Sequence, residues 1–288
     1  MADTIALLNM KGGVGKTTLA VNLASHCYSR GRSAVLLIDL DPQFNASQYL
    51  MDYKTYEKHL RTGGTIADLL IDSPVLTVRK KPKKPKLNAC IHRLKTGPRS
   101  GKHFDLLPSQ LALSHVVKNP AQMEYKLEKL LQPLQSQYDY IFIDCAPTDS
   151  VLTTLALMAA DYLLIPVRPD RFSILGYALV GETVRHFRDS SHNPHNVREL
   201  GTVFTQVNDA TGIEGECMAA IRQQAAKDGS YVFTSWLPVS RTFLRAVQDG
   251  TPAFETRYAR EELKGAITDI VREMKTRITE LKKKGMAT

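Results

Sequence analysis

NMKGGVGKTTLAVNL, residues 9–23, carries two lysines in one glycine-rich turn. A strict phosphate-binding loop reads G-x-x-x-x-G-K-[ST]. Lys16 takes the lysine's place in that pattern, but the position of the first glycine holds Met10. The glycines stand at Gly12, Gly13 and Gly15 instead, on either side of Val14, and Lys11 puts a second cation in front of them. The turn lies between the apolar run TIALLN and the helical pattern KTTLAVNLA, so it reads as strand, loop, helix. Glycines in such a loop let backbone N–H groups approach phosphate oxygens with no Cβ in the way. The start of the following helix adds positive potential. Lys16 is placed to reach the β- and γ-phosphates, and the Thr17 hydroxyl to ligate Mg²⁺.

Working outward, short apolar runs alternate with segments of helical period. TIALLN, AVLLID, YIFID, YLLIPV, TVFTQV and YVFTSWLP predict strands buried on both faces. Residues 16–28, 122–137, 151–159, 175–188 and 214–227 predict helices. The alternation predicts an α/β fold, a doubly wound and mostly parallel sheet with helices on both faces. ACIHRL and HFDLLP, joined by KTGPRSGK, predict a hairpin at the sheet edge. The chain reads as one domain over 1–288, with residues 73–103 as a basic elaboration. A closing helix over 261–284 has Leu263, Ile267, Ile270, Val271, Met274, Ile278 and Leu281 on one face. Met1 stands so close to the first strand that an amino-terminal helix-turn-helix domain is not expected.

Two strands deliver carboxylates at their carboxyl ends, where ligands bind in open α/β sheets. LLIDLDPQ carries Asp39 and Asp41, and YIFIDCAP carries Asp144. A carboxylate after four apolar residues is costly to bury unpaired, and Mg²⁺, directly or through its waters, is the natural partner. Thr17, Asp41 and Asp144 are therefore the candidate metal residues.

The 288 residues carry a net charge of +9, yet ten cations and no acidic residue lie between Arg79 and Lys102, so that one segment makes the protein basic. Pro82 and Pro85 keep KKPKKPK out of a central strand. No apolar run is long enough to predict a membrane span, and the amino terminus has no leader pattern. Cys27, Cys90, Cys145 and Cys217 lack C-x-x-C spacing, which fits reduced thiols in the cytoplasm.

KGGVGKTT, LLIDLDPQFNAS and YDYIFIDCAPT together resemble the ParA/MinD family of deviant Walker-A ATPases, and most of all its ParA branch. The resemblance runs from Thr4 to about Leu281, with the basic segment as its main departure. It implies a slow ATPase using ATP and Mg²⁺, in which Lys11 crosses a dimer interface to the phosphates of the other subunit. A lysine supplied in trans makes nucleotide and dimer stabilise each other, as an arginine finger does. By the same resemblance, Gly12 to Thr18 cradle the phosphates and Thr18 helps bind the α-phosphate. Asp41 positions the attacking water, with Asp39 beside it in the same switch. Asp144 is similar to the Walker-B acid, Asn208 to the asparagine that reads adenine, and Pro238 to the residue packing on the base.

The resemblance further implies an ATP-dependent homodimer that binds DNA non-specifically and releases it when a ParB-like or other partner stimulates hydrolysis. That places the protein in the cytoplasm, on the nucleoid. Lys80, Lys81, Lys83, Lys84 and Lys86, with Arg241 and Arg245, are the candidate DNA contacts, since clustered cations attract phosphate backbones regardless of sequence. Relatives place their arginines slightly differently: NDATG has none, and those of PVSRTFLR are displaced. A MinD-like membrane role would need the closing helix as an amphipathic anchor, but its spacing suits docking on the sheet and no stable membrane insertion is expected. An ATP-dependent metabolic enzyme of the same fold is the other alternative. Iron–sulfur reductase relatives pair cysteines after this strand, and Cys145 has no such partner.

Overall fold

The computed structural model describes residues 1–71, 84–97, 101–118, 123–189 and 197–285. Among them, eight strands form one sheet: β1 (Asp3–Leu7), β2 (Val35–Leu40), β3 (His92–Thr96), β4 (His103–Leu107), β5 (Tyr140–Cys145), β6 (Tyr162–Val167), β7 (Arg198–Val207) and β8 (Leu237–Pro238). Their spatial order is β3-β4-β2-β5-β1-β6-β7-β8. Every neighbour pair is parallel except β3 and β4, the antiparallel hairpin at one edge. Helices follow as α1 (Lys16–Ser29), α2 (Asn45–Leu50), α3 (Tyr53–Thr62), α4 (Ile66–Leu70), α5 (Leu87–Cys90), α6 (Ser114–Lys118), α7 (Lys126–Leu131), α8 (Val151–Ala159), α9 (Arg171–Asp189), α10 (Ile213–Lys227), α11 (Thr242–Asp249) and α12 (Glu261–Gly285).

The central strands are apolar throughout because both faces are covered. Ile5, Leu7, Leu37, Phe142 and Leu164 face a layer that includes Leu19 and Leu23 of α1 and Ile267, Ile270 and Met274 of α12. Ala6, Leu36, Ile38, Ile143 and Leu163 face the opposite layer, with Leu131 of α7, Leu155 of α8 and Val180 of α9. The closing helix thus spends its apolar side on the core, as its spacing predicts. None of the helices among the described residues is long and apolar enough to cross a membrane.

Several local expectations need correction. The helix expected over 122–137 is cut short at Leu131 and continues as a 3-10 turn, Gln132–Leu134, where Pro133 supplies no backbone donor. Ala89 and Cys90 belong to a helical turn, so the edge strand starts only at His92. YVFTSWLP yields one isolated bridge from Val232 to Thr202 and the short β8, because the segment only grazes the sheet edge. Helix α9 starts at Arg171, ahead of the expected 175, since Asp170 Oδ1 accepts the Ser173 N–H at 2.9 Å and caps it. Of the basic segment, Lys80, Lys81 and Lys83 lie outside the described residues. Lys84 and Lys86 are exposed.

The chain leaves β1 toward β2 on one side and later returns to place β6 on the other. The crevice that this reversal opens lies at the carboxyl end of β1, where the glycine-rich loop begins.

Candidate functional site

The loop from Leu8 to Gly15 leaves β1 and turns into α1. Gly13 and Gly15 have φ of +74° and +81°, a region that glycine enters without steric cost. A Cβ on Gly12 or Gly13 would meet nothing within 4 Å, so the loop presents bare backbone outward. Four side chains hold it. Thr205 Oγ1 donates to the Val14 carbonyl at 2.6 Å, and Gln206 Nε2 to the Gly13 carbonyl at 2.7 Å. Asn9 Nδ2 donates to the Pro166 carbonyl at 2.7 Å, while its Oδ1 accepts the Lys11 N–H at 2.9 Å. Lys16 Nζ donates to the carbonyls of Asn9 and Lys11, at 2.9 and 3.1 Å.

Gln206 sits where the register of β7 against β8 shifts, and its φ is +55°. This bulge turns the side chain out of the pleat and onto the loop. One residue further on, Val207 pairs with Pro238. Asn208, the next residue, is exposed at the mouth of the crevice, and its N–H donates to Glu214 Oε2 at 2.6 Å. The structure therefore brings Asn208 and Pro238 together beside the loop.

Asp39 and Asp144 are opposite each other in the β2–β5 register. Both are buried, at 0 % and 1 % exposed. Asp39 Oδ2 accepts the N–H and hydroxyl of Ser47 at 2.8 and 2.7 Å, and its Oδ1 accepts the Asp41 N–H at 3.3 Å. Its carboxylate is thereby committed to the start of α2. Asp144 differs: neither oxygen has a hydrogen-bond partner of good geometry. Burial and then the nearby Asp39 charge push its pKa well above the usual carboxylate range, while the Thr17 hydroxyl and the Lys16 ammonium relieve it only partly. Burial lowers the Lys16 pKa against the pull of Asp144. A hard divalent cation fits this donor set, since carboxylate and hydroxyl oxygens are the ligands that Mg²⁺ takes. Asp41 lies at the rim, its Oδ1 accepting the Gln43 N–H at 2.8 Å.

Lys11 is the surprise. Its Nζ reaches Asp170 Oδ1 and Oδ2 at 2.8 and 2.6 Å, and the Phe172 ring centroid lies 5.8 Å away. Burial works against the Asp170 carboxylate, but hydrogen bonds from Lys11 and Ser173 hold its pKa below the usual range.

Arg241 and Arg245 are exposed on and beside α11, away from the loop's own contacts. With Arg260 they line a cleft of about 490 Å³, into which Pro238 also opens. The Tyr258 ring lies between Arg245 and Arg257, whose guanidinium carbons are 4.2 and 4.7 Å from its centroid.

Asn9, Asp170, Thr205 and Gln206 escaped the sequence reading. Asp170 had a signal, the D-x-x-S pattern of a helix cap. The others act through backbone contacts between distant segments, which no local pattern announces.

The AAA domain family model matches residues 2–197. The chromosome-partitioning ATPase Soj of Treponema pallidum is 30% identical over 254 residues, covering 88% of this chain and 89% of its own. Two solved structures share the fold. A Cyanothece McdA variant in complex with ATP has a TM-score of 0.74 at 21% identity, over 95% of this chain and 96% of that one. pNOB8 ParA bound to nonspecific DNA has a TM-score of 0.71 at 20% identity, over 97% and 99%.

Proposed function

The chain belongs to the ParA/Soj family of chromosome-partitioning ATPases, and from that premise we propose that it is an ATP-dependent dimer that binds DNA non-specifically and positions a cargo. The observation that carries the nucleotide part is Asp144, a buried carboxylate beside Lys16 and Thr17 whose charge those two neighbours offset only in part. A carboxylate so costly to bury and so incompletely paired fits a site completed by a cation.

In this reading Thr17 and Asp144, with Asp41 at the rim, hold Mg²⁺ directly or through water. Held there, the cation would supply positive charge to offset that of the phosphates. The left-handed glycine turn and the amino end of α1 bind the phosphates of ATP, and Thr18 reaches the α-phosphate. Lys16 exchanges its two loop carbonyls for phosphate oxygens. Asp41 orients the attacking water, Asn208 and Pro238 flank adenine, and Lys11 serves the second subunit. Asp39, held by Ser47, anchors the switch rather than touching substrate. Among the described residues no arginine contacts the loop from Leu8 to Gly15, so basal turnover is slow and waits for a ParB-like partner.

DNA binding rests on Arg241, Arg245 and the cations around Tyr258, together with the basic segment. Supporting it, pNOB8 ParA, of the same fold, has been solved on nonspecific DNA. The apolar side of α12 is buried in the core, which disfavours a membrane anchor. Fluorescent-ATP binding, sedimentation and DNA retention, each with and without Mg·ATP, test the whole. Saturable Mg-dependent binding, dimer formation and ATP-dependent retention are expected; retention that ignores ATP would refute the coupling.

A further inference from the structure

Phe44 occupies a conformation that a bulky residue almost never takes. It follows Asp41, Pro42 and Gln43, and its φ and ψ are +45° and +39°. For a side chain with a Cβ this region brings close contact with the backbone, so surroundings must hold it there. Two sets of contacts do so. The Phe44 N–H donates to the Asp41 carbonyl at 2.9 Å, closing a turn, and the Phe44 carbonyl accepts the Gln48 N–H at 3.0 Å, opening α2. The ring stacks on Tyr56 of α3, with centroids 5.6 Å apart and planes 5° from parallel. Tyr56 is itself fixed, its hydroxyl donating to the Ser109 carbonyl at 2.7 Å. The Ser109 N–H in turn donates to Ser47 Oγ at 3.0 Å, and that hydroxyl donates to Asp39.

Asp41 takes its orientation from the same turn, since its Oδ1 accepts the Gln43 N–H. Were Phe44 to relax toward an ordinary φ, the turn would open and Asp41 would lose that brace. We infer that Phe44 and Tyr56 form an aromatic clamp that positions Asp41 for hydrolysis. They are positioning residues, acting through the backbone of the turn. Because α3 carries one half of the clamp, anything that shifts α3 changes hydrolysis without touching the phosphates. This rests on the reading of Asp41 given above.

The test compares Phe44→Leu and Tyr56→Leu, which keep bulk but lose the stack, with Phe44→Tyr and Tyr56→Phe, which keep it. Asp41→Ala and a Phe44→Leu, Tyr56→Leu double variant complete the set. Steady-state ATP turnover and fluorescent-ATP affinity are measured for each. Misplacing a reacting group by an ångström costs about 100-fold, so a loosened turn should lower kcat roughly tenfold, with KM and affinity within about twofold of the parent. The double variant should be no slower than the worse single one, because either change opens the clamp. Phe44→Tyr and Tyr56→Phe should stay within about threefold of the parent. Normal kcat in both leucine variants, losses that multiply, or losses confined to KM would overturn the clamp while Asp41→Ala remains inactive. Full turnover by Asp41→Ala is a separate result, and would remove Asp41 from the reaction altogether.

Discussion

Lys11 Nζ and the Asp170 carboxylate form a two-pronged ion pair within a single subunit, with each side chain about one-third exposed. The lysine proposed to serve the neighbouring subunit's phosphates is thus held at home by a carboxylate that also caps α9. In the proposed dimer this pair is exchanged for one made across the interface. At such exposure the pair is worth up to about 1 kcal/mol. It biases the equilibrium without blocking it.

Asp170→Ala should therefore lower the ATP concentration that half-saturates dimer formation, by at most about fivefold, the equivalent of that energy. Sedimentation against ATP concentration reads it directly. A midpoint shifted upward would mean that Asp170 contributes more to the dimer than to the free chain.

Lys11→Ala should bind ATP yet stay monomeric, whereas Asp41→Ala should accumulate as a stable dimer. Lys16→Ala should lose ATP binding itself. If the Lys11→Ala, Asp41→Ala double variant still dimerises with ATP, Lys11 does not act in trans.

Asp144→Asn removes an acid that burial and Asp39 disfavour in its ionised form, and with it the cost of neutralising or burying that charge on folding. The free protein should gain about 1 kcal/mol of stability, in the range of typical stabilising changes, while Mg-dependent ATP affinity collapses. Urea melts and fluorescent-ATP titrations, run on one preparation, check both halves. A variant that is less stable and still binds Mg·ATP would show Asp144 to be an ordinary core residue.

Changing Lys80, Lys81, Lys83, Lys84 and Lys86 to Gln should weaken DNA retention and flatten its salt dependence, leaving basal hydrolysis alone. Arg241→Ala with Arg245→Ala should act in the same direction through the cleft beside Tyr258. Retention equal to the parent at every salt concentration would assign the basic segment another role.

Acid should destabilise the fold through His26, which is buried, and the partly buried His92 before surface carboxylates titrate. His26, 7 % exposed between α1 and α12, has its pKa lowered by burial and then by Lys275 and Arg30. His92 is lowered by burial and by His59, with Asp105 and Asp52 opposing. With folded values below 6.5, the unfolded chain takes up these protons first as pH falls. The stability they support is complete above about pH 6.5 and declines as pH drops through the folded values. His26→Gln should shrink the difference in urea midpoint between about pH 7.5 and about pH 5.5; an unchanged difference would exonerate His26.

The strands that build the sheet centre were legible because burial on both faces leaves an unbroken apolar run, as in YIFIDC and YLLIPV. That Lys16, Thr17 and Asp144 come together was legible for the converse reason, polar groups placed at or beyond the ends of apolar strands where burial is costly. Helices α2, α3, α4 and α11 went unforeseen, being short and ordered by tertiary contacts such as the Phe44–Tyr56 stack. The destination of Lys11 within its own subunit was equally hidden. Asp170 lies far along the chain, and only the sheet's topology carries it to the loop.

The bulge at Gln206 has a consequence for timing. The strand that ends at Val207, next to Asn208, also braces the Gly13 and Val14 carbonyls, so the proposed base contact and the phosphate loop are tied to one element. Little ordering remains to be done when nucleotide arrives, and association should run near the speed of encounter. The clock of the cycle is then kept by departure. On the proposed reading, how long a molecule of this protein stays committed to one nucleotide depends on how firmly Thr205 and Gln206 hold the loop carbonyls.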